Sequence, residues 1–201
     1  IYKESSVESI SGEPGNFSVA ISNKQPCEIK VGAVVTATGW KPYNTEKLSP
    51  LGYGSPRVKT LEEFEQYVQD EPIPDRILFI LCAGSRDKNH LSYCSSYCCG
   101  AALKQALYVR ELNPNAEVYI IYRDIRTPGF QEEFYKMVQA DDAIFMTKGV
   151  IESVRDTGDA MEVIVSESLL DSRISIASDM VVLATGMVPN TSADLKLQYR
   201  L

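Results

Sequence analysis

The run Arg76-Ile77-Leu78-Phe79-Ile80-Leu81 is apolar without alternation, and it limits the fold more than any other stretch of the chain. A strand of that kind must be covered on both faces, as the strands of a parallel sheet are. The next periodic segment puts Ala102, Leu103, Ala106 and Val109 on one helical side and ends near Asn113-Pro114-Asn115. A second strand, Glu117 to Arg123, comes after it. The three pieces make a β-α-β unit. When such a unit binds a dinucleotide, its first turn carries a glycine-rich pyrophosphate cradle. Here that turn reads Cys82-Ala83-Gly84-Ser85-Arg86-Asp87.

Four of the five cysteines follow from this point: Cys82, Cys94, Cys98 and Cys99, spaced C-x11-C-x3-C-C. The sequence shows no export signal, so a reducing, cytoplasmic setting is expected, where clustered cysteines more often bind metal or carry redox chemistry than form structural disulfides. Cys27 lies far from the cluster and reads as a buried small apolar residue.

The net charge of −7 and pI near 4.9 argue against a nucleic-acid partner, since no Lys/Arg stripe is available to neutralise phosphates. No apolar run approaches the ~18–20 residues of a membrane span. A chain of 201 residues that opens on Ile1-Tyr2-Lys3-Glu4 and closes on Gln198-Tyr199-Arg200-Leu201 reads as a piece of something longer.

Before the β-α-β unit, Ser6–Ser11 and Phe17–Ile21 alternate as strands about a turn at Gly12–Asn16. A further strand is expected over Gly32–Gly39, and a loop or crossover over Trp40–Arg57. Leu61–Val68 reads as a short amphipathic helix capped by Thr60. Glu71-Pro72-Ile73-Pro74-Asp75 then marks a domain boundary. Beyond the unit the sequence predicts a helix from Gln131 to Gln139, a short strand over Ala143–Met146, and antiparallel strands near 149–154, 161–166 and 173–177. Last comes an apolar strand from Asp179 that closes in Ala184-Thr185-Gly186. Residues 6–39 and 149–186 each read as a meander ending in an Ala-Thr-Gly strand, a diverged internal repeat.

Paired domains with Ala-Thr-Gly strand ends resemble the two-dinucleotide-binding flavoproteins of the thioredoxin reductase type. Within that group, Cys82-Ala-Gly-Ser-Arg-Asp and Tyr93-Cys94-Ser-Ser-Tyr-Cys98-Cys99 resemble the A subunit of heterodisulfide reductase. They also resemble the A and B subunits of the quinone-interacting membrane-bound oxidoreductase complex. Tyr122-Arg123-Asp124-Ile125-Arg126 and Glu132-Glu133-Phe134-Tyr135 are similar to that family too. The resemblance implies a flavin-containing electron-transfer subunit of a larger redox complex, with Cys82, Cys94, Cys98 and Cys99 holding a [4Fe–4S] cluster. Thr38 and Gly39 would then lie by FAD, and Thr185, Gly186 and Pro189 near the junction with the flavin domain. The glycine-rich FAD fingerprint is absent from these 201 residues, and so is the ferredoxin insertion common before the first Ala-Thr-Gly strand.

Four thiolates match the inventory of a cubane cluster, whose separated iron corners suit the adjacent Cys98 and Cys99 better than one tetrahedral zinc does. Zinc, a reactive or disulfide-forming set, and inert thiols remain alternatives. A helix starting near Cys98 or Gly100 would place its positive end beside an anionic cluster and would lower thiol pKa values. His90 reads either as a ligand or proton carrier or, more simply, as a surface loop residue. Arg86 would balance cluster charge, or form a salt bridge with Asp87 or a downstream acid.

The expected fold is α/β. Residues 74–188 form a Rossmann-like domain of three layers, β-meander, parallel sheet and helices. Residues 1–73 are part of a flavin-type domain with its connection, and 189–201 begin the return to it. The expected function is electron relay between FAD and the cluster, with other subunits of a redox complex as partners and no membrane span of its own. One rival is a nicotinamide-dependent flavoprotein reductase, for which Arg123 at the ribose position would favour a 2′-phosphate. A cofactor-free docking module is the other.

Overall fold

The computed structural model describes residues 1–169 and 171–190, which fall into two compact units, Ile1–Lys41 with Pro189 onward, and Pro42–Val188. The expected return to the flavin domain over 189–201 lies, beyond Asn190, outside the described residues.

In the first unit β1 (Ser6–Glu13), β2 (Asn16–Ser22) and β3 (Cys27–Val31) form an antiparallel sheet in that order. Gly12, at φ +99°, closes the first hairpin against the Asn16 carbonyl, which a Cβ would overlap. The strand expected over Gly32–Gly39 does not form. Residues 33–39 have no ladder partner among the described residues, and Val35 stands 89% exposed. Apolar composition alone does not make a parallel strand, because its N–H and C=O groups need neighbouring strands to pair with. The internal repeat is therefore matched in its meanders but not in its closing strands.

Short strands β4 (Trp40–Pro42) and β12 (Met187–Pro189) stand where the chain passes between units. The second unit also holds a 3-10 helix (Thr45–Leu51), β5 (Val58–Thr60), α1 (Leu61–Asp70), β6 (Arg76–Ala83), α2 (Cys98–Leu112) and β7 (Glu117–Tyr122). It continues with α3 (Gln131–Gln139), β8 (Ile144–Asp156), β9 (Met161–Glu167), β10 (Ser172–Ser178) and β11 (Met180–Thr185). Seven strands make one sheet in the order β10-β9-β8-β7-β6-β11-β5, parallel from β8 to β5 and antiparallel through β8, β9 and β10. Strand β5 has no sequence signal; it lies at the edge as three residues, too few to show a pattern.

The alternation of β6 separates two cores. Ile77, Phe79 and Leu81 pack with Phe64 of α1, Leu103, Ala106 and Val109 of α2, and Val138 of α3. Leu78, Ile80 and Ala83 pack with Val154, Met161, Val163 and Val165 of the folded-over meander. This is the expected three-layer α/β arrangement. Residues 144–156, expected as two strands, run as one. Ile144–Lys148 pairs in parallel with β7, and Gly149–Asp156 pairs antiparallel with β9. Among the described residues no helix is long and apolar enough to cross a membrane.

Candidate functional site

From β6 the chain fills one side of the sheet, through β7 and β8, and then returns to β6's other side as β11. The carboxyl ends of β6 and β11 therefore flank the point where strand order reverses, the place where open α/β sheets bind ligands. The cysteine segment occupies it.

Cys82 ends the apolar run in the left-handed region, φ +59°, and Arg86 and Ser96 are left-handed too, at +54° and +52°. Three non-glycine residues in this conformation within one segment mark a backbone held by its surroundings. The holding contacts are visible. Ser85 N–H donates to the Cys82 carbonyl at 3.1 Å, Arg86 N–H to Tyr93 at 3.1 Å, Asp87 N–H to Leu91 at 3.0 Å and Leu91 N–H to Gly84 at 3.2 Å. Gly84, at φ +71°, lies so close to Tyr43 that a Cβ would stand 2.8 Å from its ring. The Tyr43 hydroxyl meets His90 Nδ1 at 3.0 Å, so His90 is oriented within the fold rather than free on the surface.

Helix α2 begins at Cys98 with no side-chain cap from Tyr97, leaving its first-turn N–H groups beside Cys98 and Cys99. Both thiols are buried, whereas Cys82 and Cys94 are half-buried. Burial, reinforced by the neighbouring thiols, pushes Cys98 up to about 12. Burial raises Cys99 as well, against the lowering effects of the Arg126 backbone N–H and the Arg86 charge. At both thiols burial works against the lowering expected from the helix field.

Each of the other three thiols acts electrostatically on Cys98, and Cys82 and Cys94 act on Cys99, so the structure brings the four predicted cysteines into one neighbourhood. Among the described residues, no three His, Cys, Asp or Glu side chains gather closely enough to grip a single metal ion. The four thiols are free, the donor type that suits a thiolate-held centre larger than one ion, and polar hydrogens are directed at three of the sulfurs. Ser96 N–H donates to Cys94 Sγ at 3.4 Å, the Arg126 N–H bonds to Cys99, and Arg86 Nη1 stands 4.0 Å from Cys82 Sγ. Cys27 is half-buried in β3, opposite Ile21, rather than fully buried.

The strand end of β11 serves the cysteine segment. The Thr185 carbonyl accepts from Cys98 Sγ at 3.1 Å, and Met187 N–H donates to Ser95 Oγ at 2.8 Å. Gly186 has Leu91 Cδ1 at 2.7 Å and Ser85 Cβ at 2.9 Å from where its Cβ would be. Close approach does require this glycine, and protein fills the space. In the first unit, Asn190 donates through its backbone N–H to the Gly39 carbonyl at 3.1 Å and through Nδ2 to the Thr38 carbonyl at 3.3 Å. Thr38 and Gly39 are thereby joined to the segment that begins at Pro189.

Sequence reasoning missed the roles of Tyr43 and Ser95, and left open which acid pairs with Arg86. Asp124 turns out to be the acid that pairs with Arg86, at 2.7 Å. A cavity of about 270 Å³ also opens at the β6 and β7 ends, between Leu48, Ile80, Ile121 and Ile151, with Cys82, His90 and Arg123 on its wall.

The same architecture recurs in solved flavoproteins. L-lysine 6-monooxygenase from Pseudomonas syringae superposes with a TM-score of 0.54 at 13% identity, covering 98% of this chain and 56% of that one. Lactococcus lactis thioredoxin reductase superposes at 0.52 with 15% identity, covering 94% and 55%. The fold is thus the Rossmann-type α/β fold that these flavoproteins share. No protein-family profile matches the chain.

Within that class the chain is a homologue of the A subunits of heterodisulfide reductases. It is 35% identical over 181 residues, 81% of its length, to the A subunit of the H(2)/formate:CoB-CoM heterodisulfide,ferredoxin reductase of Methanococcus maripaludis. It is 32% identical over 180 residues, also 81%, to the iron-sulfur A subunit of the CoB–CoM heterodisulfide reductase of Methanocaldococcus jannaschii. It spans 28% and 27% of those two relatives.

Proposed function

We propose that this chain is the cluster-bearing part of a flavin and iron–sulfur electron-transfer subunit of the heterodisulfide reductase A type. One observation carries the reading: Cys82, Cys94, Cys98 and Cys99 converge at the strand-order reversal, where a nucleotide would otherwise lie. These four would hold a [4Fe–4S] cluster, which when bound supplies a one-electron relay. Thr38 and Gly39 would lie by FAD, and Thr185, Gly186 and Pro189 near the junction with the flavin domain. The chain's own residues fix the thiols, bury two of them and direct N–H groups at their sulfurs, while Leu91, Ser85 and Ser95 pack the strand end against solvent.

The division into a partial flavin-type domain over 1–73 and a degenerate nucleotide-type domain over 74–188 belongs to the same proposal. Other subunits of a redox complex would be the partners and the cytoplasm the compartment, in keeping with five unpaired cysteines.

The nicotinamide-dependent alternative needs Arg123 for a ribose 2′-phosphate. Arg123 Nη1 instead donates to the Arg86 carbonyl at 2.9 Å, and Asp124 pairs with Arg86.

The test is anaerobic reconstitution with iron and sulfide, iron analysis, and EPR of the reduced sample. About four iron per chain is expected. The signal should be lost in Cys98→Ser and Cys99→Ser and kept in Cys27→Ser. A folded chain that takes up no iron overturns the reading.

A further inference from the structure

The segment after β7 carries more positive charge than its one acid can neutralise, and it stands against the cysteines. Arg86 Nη1 lies 2.7 Å from Asp124 Oδ2 and 4.0 Å from Cys82 Sγ. Arg126 Nε reaches the same Asp124 oxygen at 3.4 Å. Arg123 donates to the Arg86 carbonyl at 2.9 Å, and the Arg86 N–H donates to Tyr93 at 3.1 Å. Arg86 is thus pinned through its backbone on both sides as well as through its side chain. Asp124 is the shared acid of both Arg86 and Arg126, and among the described residues neither arginine pairs with another carboxylate. The Arg86 side chain is only 22% exposed, so solvent screens its charge weakly.

We propose that Arg86 and Arg126, gathered by Asp124, form a cationic brace that compensates the charge of the thiolate-held centre and sets its reduction potential. The inference rests on the iron–sulfur reading and assigns its tuning to named positioning residues. An electron added to such a centre makes it more negative, and a fixed cation nearby favours that reduced form. The brace therefore raises the potential. Asp124 keeps the guanidinium groups in place, and it partly offsets their charge.

The test compares wild type, Arg86→Gln, Arg126→Gln and, as a remote charge control, Arg155→Gln, which loses only an ion pair to Glu162 on the meander. Each chain is reconstituted anaerobically, its iron is counted, and its midpoint potential is read by EPR-monitored titration with dithionite. Arg86→Gln is expected to retain iron and shift at least about tenfold in the one-electron equilibrium, about 59 mV downward. Arg126→Gln should shift in the same direction by less, and Arg155→Gln should match wild type. Iron-loaded Arg86→Gln and Arg126→Gln that titrate with wild type overturn the brace. If Arg86→Gln alone loses iron, Arg126→Gln decides on the same criterion. If both lose iron while wild type keeps it, the arginines serve assembly and the tuning inference falls. A wild-type chain without iron brings down the cluster reading, and this inference with it.

Discussion

Cys98 donates its thiol hydrogen to the carbonyl oxygen of Thr185 across 3.1 Å. The bond joins the first residue of α2 to the last residue of β11, so a thiol at the helix start and the Ala-Thr-Gly strand end hold each other in place. Thr185 is itself buried, and its carbonyl would otherwise face a site with little water to satisfy it.

The next residue makes this coupling measurable. In Gly186→Ala the new methyl would meet Leu91 Cδ1 at 2.7 Å and Ser85 Cβ at 2.9 Å. The leucine end can swing away, but Ser85 Cβ is fixed to a backbone tied to Cys82. A destabilisation of about 1–3 kcal/mol is expected, together with reduced iron uptake. Gly32→Ala, whose nearest neighbour is the Gly15 carbonyl at 4.0 Å, should be close to neutral. Urea unfolding of both variants checks it, and equal midpoints would mean that the cysteine segment yields freely at this contact.

The same glycine shows where sequence reading stopped. A glycine ending an apolar strand signals close approach, but the signal is the same whether the approaching group is a dinucleotide or Leu91. The β-α-β unit was legible because Arg76–Leu81 can be covered only on two faces, and the α1 start because Thr60 and Glu63 have the spacing of a reciprocal cap. The four thiols were legible from spacing and resemblance. The burial of Cys98 and Cys99 was not, because the helix start can be read from a sequence whereas the burial depends on β11 and α2 meeting. Residues 33–39 misled for a related reason: strand character there would come from neighbours, and composition does not supply them.

The α1 cap makes its own prediction. Thr60 Oγ1 accepts from Glu63 N–H at 3.1 Å, and Glu63 Oε2 accepts from Thr60 N–H at 2.7 Å. Thr60→Ala removes one arm and weakens the seating of Phe64, which is fully buried in the helix-side core. A loss of about 1 kcal/mol is expected, most of it restored in Thr60→Ser. Chemical denaturation of the pair reads the difference, and an Ala variant as stable as wild type would show the cap to be idle.

Glu65 gives the acid limb of the stability curve. Hydrogen bonds from Lys104 and then from Gln105 hold its carboxyl below the model-compound value of 4.5. A depressed native pKa means that the contribution is complete above 4.5 and disappears as pH falls through the native value. Both charged side chains are more than a third exposed, so screening limits the effect to about 0.5 kcal/mol. Glu65→Gln should therefore be slightly less stable at neutral pH, and the two proteins should converge on the acid side. Unfolding across that range tests the sign, and a gap that widens with acid would contradict it.

Gly149 sits where β8 changes from parallel pairing with β7 to antiparallel pairing with β9. A methyl there would stand 2.6 Å from Val165 Cγ1 and 2.8 Å from the Ser166 carbonyl oxygen. Val165 is fully buried beneath the sheet, and the Ser166 backbone is held in the β8–β9 ladder, so neither can withdraw cheaply. Gly149→Ala should cost about 1–3 kcal/mol, whereas Val150→Ala, at a position 50% exposed, should stay within about 0.5 kcal/mol. The damage should also spread, because the meander covers Leu78 and Ile80 of β6, the strand that delivers Cys82. Hydrogen exchange would then rise along β6 as well as β9 in the alanine variant. Exchange confined to β9 would show that the meander can loosen without disturbing the strand beneath the cysteines.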